Sequence, residues 1–228
     1  MNLLSIILQV SNDLITSPEA EEIKLSLWEL AKEGGWIMIV LAIFSIIAVY
    51  IFTERYITIN KAAKKDDNFM NLIRNYMIEG KLDEAKDLCN QTDTPISRMI
   101  EKGISRIGKP LNDIQTAIEN VGNLEVSKLE KGVALIGMIS GAAPMLGFLG
   151  TVTGMIRAFY DMSMAGNNID IELLSAGIYE AMVTTVGGLF VGIIAYVFYN
   201  IIVSKIDNVV NLLESKSIEF MDVLNEPA

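Results

Sequence analysis

The chain has no histidine and, among its 228 residues, a single cysteine, five prolines and few aromatic side chains. Without histidine, neither an imidazole metal site nor an imidazole proton relay can be assembled from this polypeptide. The lone thiol, Cys89, excludes an intrachain disulfide. No glycine loop follows a strand-like run to cradle phosphate, no metal-ligand spacing occurs, and no nucleophile has a base nearby. The sequence therefore offers no catalytic residue, no metal ligand set and no cofactor site, and an enzyme is the least expected class. Basic residues are also scarce, 18 against 28 acids for a net charge of -10, which leaves nucleic acid without an attracting surface.

What the chain has in abundance is apolar side chains, 51% of the residues, with a mean hydropathy of +0.40. They are gathered into blocks, and charge-free windows run from Gly34 to Thr53, Gly132 to Ile156 and Ala181 to Ser204. At about 1.5 Å per residue each window can cross a hydrocarbon layer of about 30 Å, the longer two with tilt. The expected fold is all-α, an integral membrane protein with three transmembrane helices.

Lys and Arg set the expected orientation, because basic residues flanking a span stay on the cytoplasmic side. The connection from Glu54 to Lys131 holds thirteen of the eighteen, whereas Ala158 to Tyr179 holds none and residues 1–33 hold only Lys24 and Lys32. The long connection and the C-terminus are thus expected inside, the N-terminus and the short connection outside.

The organisation expected along the chain follows. Residues 1–33 form an outer N-terminal segment. Leu3 to Val10 lacks a basic flank and a cleavage pattern, so it reads as a retained interfacial amphipathic helix, and Ser17 with Pro18 starts a second helix bearing Trp28. Residues 34–53 make the first span and 54–131 a cytoplasmic helical domain. Residues 132–157 make the second span, 158–175 an outer loop, 176–204 the third span and 205–228 a cytoplasmic C-terminal helix. Within the cytoplasmic domain Gly80, Pro95, Gly108 and Pro110 punctuate helices whose apolar residues recur at helical spacing, among them Phe69, Ile73, Ile114, Ile118 and Leu129. The helix ending at Lys131 is expected to continue into the second span, and the third span to continue through Leu213, so that two spans project as long helices into the cytoplasm.

A span that only faced lipid would be rich in Leu and Ile. The second instead holds six glycines, two threonines and a proline between Gly132 and Ile156. Gly137 and Gly141, Gly150 and Gly154, and Gly188 and Gly192 are pairs four residues apart, on one helix face each, and with Gly147 they predict close helix packing in an oligomeric bundle. Glu180, Thr184, Gly188 and Gly192 continue one stripe. Thr151 lies six residues before Arg157 and Thr185 five after Glu180, so in antiparallel helices the two hydroxyls share a level and can border a polar path. The plainer alternative has each threonine bonded to its own helix backbone and Glu180 ion-paired with Arg157 at the outer boundary.

The segments APMLGFLGTVTGMI (Ala143 to Ile156) and YEAMVTTVGG (Tyr179 to Gly188), with Tyr199 and Asn200, resemble the ExbB/TolQ proton-channel family, which is related to the flagellar stator subunit MotA. The resemblance, closest to ExbB, covers nearly the whole chain. It implies a homopentameric ring in the bacterial inner membrane around the helices of a dimeric ExbD-like or TolR-like partner. That partner supplies the proton-carrying aspartate, and a TonB-like protein relays the work to outer-membrane transport. By the same resemblance Thr151, Thr185, Glu180 and Thr184 fall at the ion pathway. A TolQ-type role in envelope integrity and division, or a membrane scaffold that conducts nothing, stands as the alternative.

Overall fold

The computed structural model describes residues 34–63, 67–164 and 171–225. The expected amphipathic helix at Leu3 to Val10, and Trp28, lie outside the described residues. Seven helices follow one another: α1 (Gly35–Ala62), α2 (Asp67–Ile78), α3 (Leu82–Thr92), α4 (Pro95–Ile104), α5 (Leu111–Glu130), α6 (Val133–Met164) and α7 (Ile171–Asn225). No strand occurs among the described residues. Three helical stretches are long and apolar enough to cross a membrane: α1, α5 with α6, and α7. In the most apolar window of each, only 22–28% of residues are buried within the protomer. Ile46, Phe148, Ile156, Phe190 and Ile193 are exposed, and apolar surface on this scale needs lipid or other protein chains around it.

α6 and α7 pack along each other, and α1 lies against both. Beyond the spans, α2 to α5 gather around the second half of α7. Phe69, Ile73, Ile100, Ile118, Val209, Leu213 and Phe220 close a core there, each side chain contributing about 1.5–3 kcal/mol by leaving water. The helix breaks fall where the sequence puts them. Gly80 and Gly108 turn the chain at φ +72° and +91°. Pro95 opens α4 behind a capping box, in which Ser97 N donates to Thr94 Oγ1 and Thr94 N donates to Ser97 Oγ.

Two boundaries differ from expectation. α6 runs on to Met164 and α7 begins at Ile171, so helix occupies much of the stretch 158–175 assigned to a loop. And α5 does not pass unbroken into α6. Lys131 leaves the helical region at ψ 123° and Gly132 takes φ +83°, a left-handed conformation that costs an L side chain roughly 1–2 kcal/mol. Arg55 of α1 closes the break, its Nη1 donating at 3.0 Å to the Lys128 carbonyl at the end of α5, where a cation also meets the negative end of the helix dipole. G132A is expected to lower the melting temperature of the purified protein by several degrees, and an unchanged melt would show that the joint tolerates a side chain. α7, by contrast, is one helix of 55 residues through the third span and beyond, as expected.

Beside the joint, α4 and α5 are tied by charge. Glu125, almost fully buried, meets Arg98 Nη2 at 2.7 Å and Lys128 Nζ at 2.6 Å, and Arg98 also reaches Asp93.

Candidate functional site

Pro144 has no backbone N–H to donate to the Ser140 carbonyl one turn earlier in α6, and its ring would crowd any neighbouring side chain. The neighbour is Gly192 of α7. A Cβ there would lie 2.6 Å from Pro144 Cγ and 3.1 Å from that Ser140 carbonyl oxygen. The same economy of side chains continues along the seam toward the start of α7. A Cβ on Gly188 would lie 2.6 Å from the Ala143 carbonyl oxygen and 2.8 Å from Gly147 Cα. One on Gly147 would lie 2.9 Å from the Thr184 carbonyl oxygen, and one on Gly154 would touch Ala181. Gly150 rests on the Thr184 side chain and Gly137 on the Tyr199 ring. Gly141 has open space around it, so the Gly137/Gly141 spacing makes one contact inside the protomer and not two.

This close approach decides where the hydroxyls go. Thr185 Oγ1 donates across the seam to the Gly147 carbonyl at 3.2 Å. Thr184 Oγ1 donates to the Ala181 carbonyl of its own helix at 2.7 Å, with Gly147 at 3.4 Å. Thr151 donates to the Phe148 carbonyl at 2.6 Å and Thr153 to Leu149 at 2.9 Å, the local bonding expected of threonine in an apolar helix. A hydroxyl that donates to a carbonyl keeps lone pairs free to accept.

Thr151 is one turn beyond Gly147 on α6, and its neighbour Gly150 touches Thr184, so Thr151 and Thr185 lie at one level. Both are half-buried, at the edge of the seam. Thr184, adjacent in sequence, points about 100° away around α7 and is buried between Gly150 and the start of α1, with 2% of its surface exposed. What surface Thr184 keeps faces the small cavity that it lines together with Glu180.

Glu180 lies one turn before Thr184 on α7. With Arg157, Gly34, Trp36, Thr153 and Thr184 it borders a cavity of about 120 Å³ at the end of the three spans where α1 begins. No ion pair joins Glu180 to Arg157 among the described residues. The carboxylate instead lies against Gly35, which a Cβ would bring within 2.9 Å of Glu180 Oε1, at the positive end of the α1 dipole. Gly35 has φ +60°, a conformation open to glycine.

No group of three or more Cys, Asp or Glu residues able to hold a metal occurs among the described residues. Cys89 is buried among apolar side chains, and burial pushes its thiol up to about 12, far from a reactive thiolate. The Pro144–Gly192 fit and the Glu125 network are two features that sequence reading missed. An isolated proline in an apolar run marks the first, whereas nothing in the spacing of Arg98 and Glu125 marks the second.

Comparison with known proteins bears on this seam directly. An ExbB homologue for biopolymer transport from Methanothermobacter thermautotrophicus is 28% identical over 187 residues, 82% of this chain and 66% of that protein, just under two thirds of its length. Biopolymer transport protein ExbB of Neisseria meningitidis is 24% identical over 72% of this chain and 79% of its own. The Tol-Pal system protein TolQ of Haemophilus influenzae is 32% identical over 100 residues, 44% of this chain and 42% of that protein. These relatives are named for biopolymer transport and for the Tol-Pal system. The family model of the MotA/TolQ/ExbB proton channels matches residues 91–215, more than half of the sequence and the whole of the α6–α7 seam, and the chain belongs to that family.

Proposed function

We propose that the chain is the ring-forming subunit of a proton-driven motor in the inner membrane, half of a channel whose titratable acid comes from another polypeptide. The observation that carries this reading is the pair Thr151 and Thr185. They are two half-buried hydroxyls at one level of an apolar slab in which the chain places no Asp, Glu, Lys or Arg of its own, Glu180 and Arg157 lying about a turn or more outward. A proton crossing hydrocarbon needs a group that binds and releases it, so the acid enters on the membrane helix of an ExbD-like or TolR-like partner seated among several copies of this chain. The distribution of Lys and Arg supports an outer N-terminus, the α2–α5 bundle inside and an inner C-terminus. Each proton moving inward releases about 2.3 kcal/mol per 100 mV. Neutralising the partner's acid opposite the hydroxyls lets the partner turn within the ring, and a TonB-like protein carries that motion to outer-membrane transport. The TolQ-type reading keeps the same channel and changes what is driven, and the 32% identity to a TolQ over 100 residues speaks for it. A neighbouring gene for a TonB-like or a Pal-like protein separates the two.

The test is proton flux into vesicles holding the chain with its partner, under an imposed potential and read by a pH-sensitive dye. T151V and T185V each keep the shape and remove the hydroxyl. A hydrogen bond worth roughly 1–1.5 kcal/mol during transfer corresponds to about a tenfold drop in flux, with assembly unchanged. Full flux in both variants would take the hydroxyls out of the mechanism. No flux from the unaltered complex would make the chain a scaffold.

A further inference from the structure

α5 separates two grooves of opposite charge. On one flank, between α5 and the end of α7, a groove of about 610 Å³ is edged by Glu119, Glu214 and Asp222, with Leu213 and Met221 in its floor and no Lys or Arg in its lining. None of the three acids forms an ion pair among the described residues. On the other flank, a groove of about 550 Å³ carries Lys102 and Arg106 of the α4 end beside Val121 and Leu124, with Asp113 the one acid in its lining. Lys109, exposed in the following turn, extends that basic edge. At about 100° per residue, Glu119, Gly122 and Val126 point away from Ala117, Val121 and Leu124, so the two grooves face nearly opposite directions around one helix.

Each groove also exposes an apolar side chain outside the membrane spans, where lipid cannot cover it: Ile218 at 63% and Leu124 at 57%. Among the described residues these acids and cations form no ion pair, Glu119 only accepting a hydrogen bond from Gln115 Nε2, and the acids beside an uncovered isoleucine complement the cations beside an uncovered leucine in sign and in chemistry. Both grooves flank the same stretch of α5, and α7 runs unbroken from that stretch into its span. They therefore lie at the same depth below the membrane, which a ring about the membrane normal demands of its contacts.

We propose that the acidic groove of one copy receives the basic α4–α5 corner, Lys102 to Lys109, of the next copy. Such a contact is head-to-tail, because the two surfaces differ, and head-to-tail contacts repeated at a fixed rotation close into rings. The charges set register and exclude the reversed pairing, while Ile218 and Leu124 lose water. This deepens the ring reading above, and rests on it, by naming the surfaces through which the copies meet outside the membrane.

The full-length chain in membranes, made as the double variant R106C/D222C and mildly oxidised, is expected to give a ladder of disulfide-linked multimers on a non-reducing gel, absent from either single variant. In detergent, K102E/R106E/K109E and E119K/E214K/D222K should each shift the mass distribution toward monomer, on the order of tenfold at fixed concentration, and the two sets combined should restore the oligomer. High salt should mimic the single sets, since exposed charges are screened within about 10 Å at 0.1 M. An oligomeric unaltered protein whose combined variant is no better than either set, and whose cysteines do not link, overturns the docking and leaves the ring standing. If only the acid-reversed set loses co-purified partner and self-association is untouched, the groove belongs to a basic segment of that partner. A monomeric unaltered protein ends the ring reading together with the contact.

Discussion

Leucine in place of Gly188 is expected to leave almost no assembled protein in the membrane, and alanine there to leave protein that assembles but conducts poorly. The atoms a new Cβ would strike are backbone, the Ala143 carbonyl oxygen at 2.6 Å and Gly147 N at 3.0 Å, so no side-chain rotation relieves the contact. The helices must part instead. Inserting one methyl into a well-packed site costs about 1–3 kcal/mol when neighbours can adjust. At a backbone-to-backbone contact the upper end applies to alanine, and leucine exceeds it. Membrane helices associate through van der Waals contact, without the hydrophobic drive that would re-form a loosened seam in water. Separation also breaks the 3.2 Å bond from Thr185 to the Gly147 carbonyl, which orients that hydroxyl. G188A should therefore lower proton flux more than it lowers the yield of complex. G141A is the control, because a Cβ on Gly141 meets nothing within 4 Å and should leave the protomer's melting temperature unchanged. Equal effects of G188A and G141A would show that the seam has slack.

The seam was partly legible in the sequence, and the reason is geometric. Four-residue spacing places Gly188 and Gly192 on one face whatever they face, and the antiparallel count from Arg157 and Glu180 puts Thr151 level with Thr185, which agrees with the contacts of Gly147 and Gly150. Spacing alone cannot say which way that face turns. Thr184 and Thr185 are equivalent by composition, and only the position of α1 and Gly150 buries one and leaves the other at the edge. Glu180 shows the same limit. Its nearest basic residue along the fold is Arg157, yet its carboxylate lies against Gly35, a residue far away in sequence with a backbone conformation that no pattern announces. The three spans, the helix breaks at Gly80, Pro95 and Gly108, and the continuation of α7 are local properties, and the sequence carries them locally. The break at Gly132 was missed because an apolar window and the helix before it read as continuous when a single glycine is judged by composition.

E125A is expected to loosen the bundle beneath the spans by about 1–3 kcal/mol. The carboxylate holds Arg98 at 2.7 Å and Lys128 at 2.6 Å while being 5% exposed itself, so its removal takes the buried partner from a guanidinium whose Nε already lacks one and leaves it only the exposed Asp93. The Arg98 side chain keeps 36% of its surface in water, which places the cost below that of a fully buried pair. Removing both charges as R98M/E125M should recover much of the loss, because the buried carboxylate goes with its guanidinium and the ions left behind, Lys128 and Asp93, are exposed to water. The pH dependence has a definite sign. Burial works against the charged form of Glu125, and the hydrogen bonds from Arg98 and Lys128 outweigh it, holding the carboxyl below its usual 4.5. A carboxyl depressed in the folded state contributes stability that is complete above the usual value and is lost as pH falls through the folded one. Thermal melts of the unaltered protein should therefore fall more steeply below about pH 4.5 than those of R98M/E125M. Parallel melting curves would mean that the network carries no net stability. Because Lys128 also offers its carbonyl to Arg55, the same substitution should reach α1, and proton flux in E125A should drop together with stability, whereas R98M/E125M should regain both.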